Sequence, residues 1–183
     1  MRARLFAIVS TCALSAAAAP RLQFVSRRTG VTEIDAVDAR GRHVLQRFAA
    51  PEEIGASAGS RDGRFAFVWH HPNRSPPRLS FFDLAAMQET GEIAPGFGGD
   101  FAFTPAAHVV HTWGCGTNCA EWRVYDVRGR VVLGGWTSGV ETSPDRRFAA
   151  TFPSIFGESE PLAVYDLDAG RSIASLPRTG CVA

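Results

Sequence analysis

The chain contains no lysine: all 19 of its basic residues are arginine. Schiff-base and general-base lysine chemistry are excluded outright. It also lacks a dominant charge. Against 18 acids the formal net charge of the 183 residues is +1, which gives no electrostatic case for nucleic acid or for an anionic membrane surface. Long apolar runs are missing, and beyond the first nineteen residues no window sustains a 3.6-residue period over about ten positions, so long amphipathic helices are not expected. A chain that is 45% hydrophobic and 20% charged has the composition of a soluble domain and excludes a collagen-like, disordered or multi-span protein.

Residues 1–19 read as a secretory signal peptide. Arg2 and Arg4 form a basic start, Leu5 to Leu14 is mostly apolar, and Ser15-Ala16-Ala17-Ala18-Ala19 supplies small-residue cleavage matches. The run is too short for a span of about 20 apolar residues. Cleavage after Ala18 removes Arg2, Arg4 and Cys12 and turns the formal charge from +1 to −1. The expected location is periplasmic or secreted, an oxidising compartment in which disulfides persist. Cys115, Cys119 and Cys181 then remain, an odd number that leaves one thiol over.

Residues 20–183 read as one domain with an internal repeat. Phe82-Asp83-Leu84, Tyr125-Asp126-Val127 and Tyr165-Asp166-Leu167 share an aromatic–Asp–aliphatic pattern, with Val37-Asp38-Ala39 as a weaker copy. The aspartates lie 45, 43 and 40 positions apart. The intervening runs are β-branched and aromatic and are bounded by Gly, Pro, Asp and Ser. A period of about 40–45 residues with four short strands per unit is the β-propeller pattern. The expected fold is therefore all-β: a small propeller of about four blades, each of four antiparallel strands. Blade one lacks its innermost strand at the N-terminus, and residues 179–183 fall where such a strand would begin. The C-terminal strand would thus complete the N-terminal blade. Two other arrangements remain open: an incomplete ring that pairs with a second copy, and an unrelated β-sandwich.

Ser60-Arg61-Asp62-Gly63-Arg64-Phe65-Ala66-Phe67-Val68 and Ser143-Pro144-Asp145-Arg146-Arg147-Phe148-Ala149 resemble the signature of TolB-type, WD40-like propeller repeats. The segment from Phe24 to Gly41 is similar to one blade of that group. The resemblance implies the fold and leaves function open, because such repeats serve scaffolds, peptidase propellers and sensors alike. Blade two departs from it at Asp83-Leu84-Ala85-Ala86-Met87-Gln88, and blade three has Thr104-Pro105-Ala106-Ala107 in place of the S-x-D-G turn. Trp113-Gly114-Cys115-Gly116-Thr117-Asn118-Cys119 is also similar to a G-C-G-T-x-C segment of small exported bacterial proteins.

Cys115 and Cys119 flank a short loop between two expected strands, a spacing that a disulfide can bridge. So short a loop gains only about 2 kcal/mol, and its effect would be to fix local shape. A redox-active pair would want C-x-x-C spacing and a helix N-terminus. His70, His71, His108 and His111 differ in strand parity and show no zinc spacing, so neither a metal nor a cofactor is expected. Gly55-Ala56-Ser57-Ala58-Gly59 matches G-x-S-x-G but is followed by a strand where a nucleophile elbow needs a helix. Its glycines are expected to let an inner strand crowd the propeller axis, and no catalytic residue is assigned. The repeated aspartates read as turn formers. Trp69, Trp113 and Phe152 read as one register position in the inter-blade core.

Connections between second and third strands emerge on one face of a propeller, and here they vary while the strands do not. The candidate binding residues on that face are Arg27, Arg28, His70, His71, Asn73, Arg74, Asn118, Glu158 and Glu160. The expectation is an exported, non-enzymatic module, monomeric or homodimeric, that recognises a protein or peptide partner in the cell envelope, with no nucleic acid and no membrane span after cleavage. A small secreted hydrolase with a histidine-containing site and a thiol-redox accessory are the alternatives.

Overall fold

The structure is a computed structural model of the chain and describes residues 20–26, 32–38, 40–48, 52–72, 76–95, 99–116, 119–152 and 162–176. Its strands form four antiparallel meanders. Blade one holds β1 (Arg21–Ser26), β2 (Thr32–Asp38) and β3 (Gly41–Phe48). Blade two holds β4 (Glu52–Gly59), β5 (Phe65–Pro72), β6 (Arg78–Asp83) and β7 (Gln88–Ile93). Blade three holds β8 (Asp100–Phe103), β9 (Val109–Gly116), β10 (Cys119–Tyr125) and β11 (Val131–Thr137). Blade four holds β12 (Gly139–Thr142), β13 (Phe148–Phe152), β14 (Leu162–Asp166) and β15 (Arg171–Leu176). The protein is all-β and propeller-like. Residues 179–183 lie outside the described residues, as do 1–19. Among the described residues, no helix is long and apolar enough to cross a membrane.

Strand periodicity builds the core. Alternate side chains of each middle strand turn to opposite faces, so one sheet contributes to two interfaces. Ile34 and Ala36 of blade one meet Ala66, Val68 and Phe82 of blade two. On the other face of β5, Phe67 meets Val109 and Tyr125 of blade three. Val110, Trp122 and Val124 then meet Ala149 and Leu167 of blade four. A strand of near-continuous hydrophobicity such as β6 is thus buried on both sides.

The repeated aspartates tie the hairpin between third and outer strands. Asp38 Oδ1 accepts from the Arg40 backbone N–H at 2.8 Å, and Asp126 Oδ1 from that of Arg128 at 2.8 Å. Asp83 accepts from Ala85 and Asp166 from Asp168 in the same way. The turn then needs a left-handed residue. Gly41, Gly129 and Gly170 take it at φ of 134°, 77° and 63°, and Met87 takes it at 53° in the blade that departs from the pattern. The segment Asp83–Glu89, where blade two departs from the repeat signature, is this hairpin.

The S-x-D motif ties the preceding connection. Ser60 Oγ donates to Asp62 Oδ1 at 2.6 Å and accepts from the Phe65 N–H at 2.9 Å. Ser143, Asp145 and Phe148 repeat the arrangement at 2.6 Å and 3.0 Å. Hydrogen bonds from these serines hold Asp62 and Asp145 below the usual carboxylate range.

Blade three differs by one residue, and the consequence is large. The Ser60 and Ser143 backbone N–H groups donate to Phe65 and Phe148, five positions on, whereas Thr104 donates to His108, four positions on. A one-residue slip in a strand exchanges its two faces. Trp113 therefore faces blade two, while Trp69 faces blade three. The single register position expected for Trp69, Trp113 and Phe152 is corrected accordingly: the two tryptophans approach one interface from opposite sides.

Candidate functional site

The shifted register gathers an aromatic cluster between blades two and three, at the end where the β5–β6 and β9–β10 connections leave the sheets. Trp69 lies 5.8 Å from Phe101, ring centre to ring centre. Phe101 stacks on His111 at 4.2 Å and 9°, and His111 stacks on Trp113 at 4.3 Å and 22°. His71 meets Trp69 edge-on at 4.3 Å. Gly55 lies against the Trp69 ring, where a Cβ would come within 2.0 Å of it, so the first glycine of the G-x-S-x-G stretch makes room for an indole.

Polar groups in this stack are incompletely satisfied. Both ring nitrogens of His111 and the indole nitrogens of Trp69 and Trp113 are buried without a hydrogen-bond partner. Burial, aided by the nearby Arg123 charge, lowers the His111 pKa to about 4, so the imidazole is neutral at physiological pH. Gly99 backs onto it, with room for no Cβ between its Cα and Thr112, Trp113 and His111.

Strand β10 supplies the charged rim. Glu121, Arg123 and Tyr125 alternate on the face that looks toward blade two, while Trp122 and Val124 look toward blade four. Arg123 donates to Glu121 and lies 5.5 Å from the Trp113 ring centre. Across the ladder from Glu121 stands Trp136 of β11, whose side chain is 59% exposed. Tryptophan and arginine are the residue types enriched at protein interfaces in general.

The sequence-predicted residues separate. His71 joins the aromatic cluster. His70, its neighbour, points the other way into the blade one–blade two interface, as strand alternation demands. There it is fully buried, its Nε2 lies 3.0 Å from Ser80 Oγ, and its ring is 4.9 Å from Phe48. Glu92 gathers this interface, accepting from Arg78 at 2.9 Å and Gln46 at 3.5 Å, and standing 3.9 Å from His70 Nε2. Cys119 opens β10 and is disulfide-bonded. Cys115 lies on β9 with its side chain outside the described residues. Arg27, Arg28, Asn73, Arg74, Asn118, Glu158 and Glu160 lie outside them altogether. Among the described residues, no group of three or more His, Cys, Asp or Glu is arranged to hold a metal.

Sequence reasoning missed Glu121, Arg123, Trp136, Ser80 and Glu92 as members of these clusters. The alternation Glu121-Trp122-Arg123-Val124-Tyr125 was the available signal: it puts an acid, a base and a phenol on one face.

Comparison with known proteins agrees with the architecture. The chain is similar to the β-propeller domain of the Trilobed protease from Pyrococcus furiosus, with a TM-score of 0.53, 12% identity, and coverage of 86% of this chain and 53% of that one. It is equally similar to an uncharacterized protein, lmo1340, from Listeria monocytogenes: TM-score 0.53, 10% identity, 85% of this chain and 50% of that one. The C-terminal WD40 domain of Sif2 matches more loosely, at a TM-score of 0.47 and 11% identity over 84% of this chain and 44% of that one. The chain spans about half the length of the solved chains it matches. No family model matches it, and no curated protein does. Fold and comparison together define the class: an all-β, propeller-like protein whose described residues form four blades.

Proposed function

We propose that this protein is an exported, non-enzymatic propeller module that recognises a protein or cell-envelope partner through the face bearing the β5–β6 and β9–β10 connections. The observation that carries the reading is the exposed Trp136 beside the Glu121–Arg123 pair. Interface energies concentrate on tryptophan, tyrosine and arginine anchors. The aromatic stack beneath supports that rim on strands, which hold a binding geometry better than loops do.

In this reading Cys115 is the partner of Cys119, and their bond fixes the loop beside Trp113. Non-reducing peptide mapping checks the pairing: a peptide joining Cys119 to Cys181 would sink this part. A hydrolase built on His70 and Ser80 has a suitable hydrogen bond, but both groups are fully buried in an inter-blade core.

Trp136→Ala is expected to cost about 2 kcal/mol of partner affinity, since an anchor tryptophan at an interface is worth that much. Its folding should change little, because the side chain is mostly in water. The measurement is recovery from a cell-envelope extract by wild type and variant, with cross-links mapped by mass spectrometry. Cross-links on β10 and β11 that vanish in the variant support the reading. Equal recovery, or cross-links scattered over the surface, overturns it.

A further inference from the structure

The two ends of the blade series each present a face that no other described blade covers. On blade four, Ala149 and Thr151 turn to blade three and are buried, while Phe152 turns away and is 41% exposed. Leu162 shares that outward face, and its β15 partner Leu176 is 57% exposed. Phe152 occupies the place that Trp69 holds in blade two, and Trp69 packs on Phe101 of the following blade. The position is thus built to be covered by a following blade.

Blade one presents the opposite kind of face. Ile34 and Ala36 turn into blade two, so Glu33 and Asp35 look outward. Both are nevertheless buried; Arg42 donates to both and Arg47 donates to Glu33 at 2.8 Å. Val44, paired with Asp35 on the same face, is 45% exposed. Among the described residues, the hydrophobic clusters join blades one to two, two to three and three to four, and none joins four to one.

We propose that the following blade is blade one of a second copy: two four-blade arcs join head to tail into one ring, with two identical seams. This is one of the closures that the repeat leaves open. Chain length supports it: 86% of this chain aligns with 53% of a propeller-domain chain, so two copies match about the length of that propeller. The seam chemistry supports it as well. Glu33 and Asp35 each already accept from an arginine within blade one, and although Asp35 Oδ1 is buried without a hydrogen-bond partner, docking takes no acidic side chain away from its cation. The partly exposed stems of Arg42 and Arg47 offer apolar surface to Leu176 and a cation to the Phe152 ring. The chain makes the same kind of contact internally, with Arg147 lying 5.1 Å from the Phe148 ring centre.

The test is the mass in solution of the chain and of two variants, Phe152→Asp on the blade-four face and Val44→Asp on the blade-one face. Wild type is expected at twice the chain mass. Each variant alone is expected at the single-chain mass with an unchanged circular dichroism spectrum. An equimolar mixture is expected to recover the double mass, because one seam of the mixed dimer is then wild type on both sides. A wild type at single-chain mass overturns the proposal. A Val44→Asp variant that still dimerises overturns the head-to-tail seam and points instead to a face-to-face pairing of blade four; two monomeric variants whose mixture stays monomeric overturn the seam as well.

Discussion

Trp122→Ala should lower the unfolding free energy by about 3–5 kcal/mol, the usual cost of truncating a buried aromatic side chain to alanine. Trp122 is 2% exposed and sits at the centre of the cluster that joins blades three and four. Its ring lies 4.8 Å from that of Tyr165 in the next blade. Truncation removes apolar area and leaves a cavity between two sheets whose backbones are each fixed by their own ladders, so collapse can refill little of it. Urea unfolding of the full chain measures the loss. Blade four should be released first, because that cluster is its described hydrophobic attachment, and protection of the β13 and β14 amides in hydrogen exchange should fall more than that of β5 and β6. A loss below about 1 kcal/mol would mean that the interface repacks freely, contrary to a close-packed seam.

The second large effect is acid sensitivity through His111. Its folded pKa is about 4 against an ordinary 6.5, because burial among Phe101, Trp113 and the backbone of Gly99 disfavours the charged ring. Between those two values the unfolded chain binds a proton that the folded chain does not. The contribution is therefore complete above 6.5 and is lost as pH falls to about 4. A depression of this size corresponds to about 3 kcal/mol. His111→Phe keeps the stacking and removes the titration, so its stability should stay nearly level across the window in which wild type declines. Urea midpoints at about pH 7 and about pH 4 measure the difference. Parallel declines in the two proteins would show that His111 is not the responsible group. The turn aspartates act in a separate, lower window. Backbone N–H donors, Arg40 to Asp38 and Ala169 to Asp166 foremost, hold these carboxyls below 3.8, so their contribution fades only as pH falls through those lower values.

The repeat near Asp38, Asp83, Asp126 and Asp166 was legible because each turn is local: an aspartate and the next few backbone N–H groups form it without outside help. The same holds for Ser60–Asp62 and Ser143–Asp145. The strands between them follow from alternation, and blade four runs from Gly139 to Leu176 as its pattern implies. The pairing of Trp69 with Trp113 across one interface was not legible by the same means. It depends on whether the turn after Thr104 closes four or five residues on, a difference of one peptide that no periodicity count resolves.

The amino-acid sequence by itself determined the all-β class, the repeat and the chemistry of the Asp and S-x-D turns, because those rest on contacts between residues a few positions apart. Tertiary structure decided which side chains meet. It turned His70 into one core and His71 toward another, placed Glu121 and Arg123 beside Trp113, and left Trp136 and Phe152 partly exposed. The physical reason is that a strand has two faces and a blade two neighbours. Local signals fix the spacing of residues along the strand, but only packing of one sheet on the next fixes which face is inside.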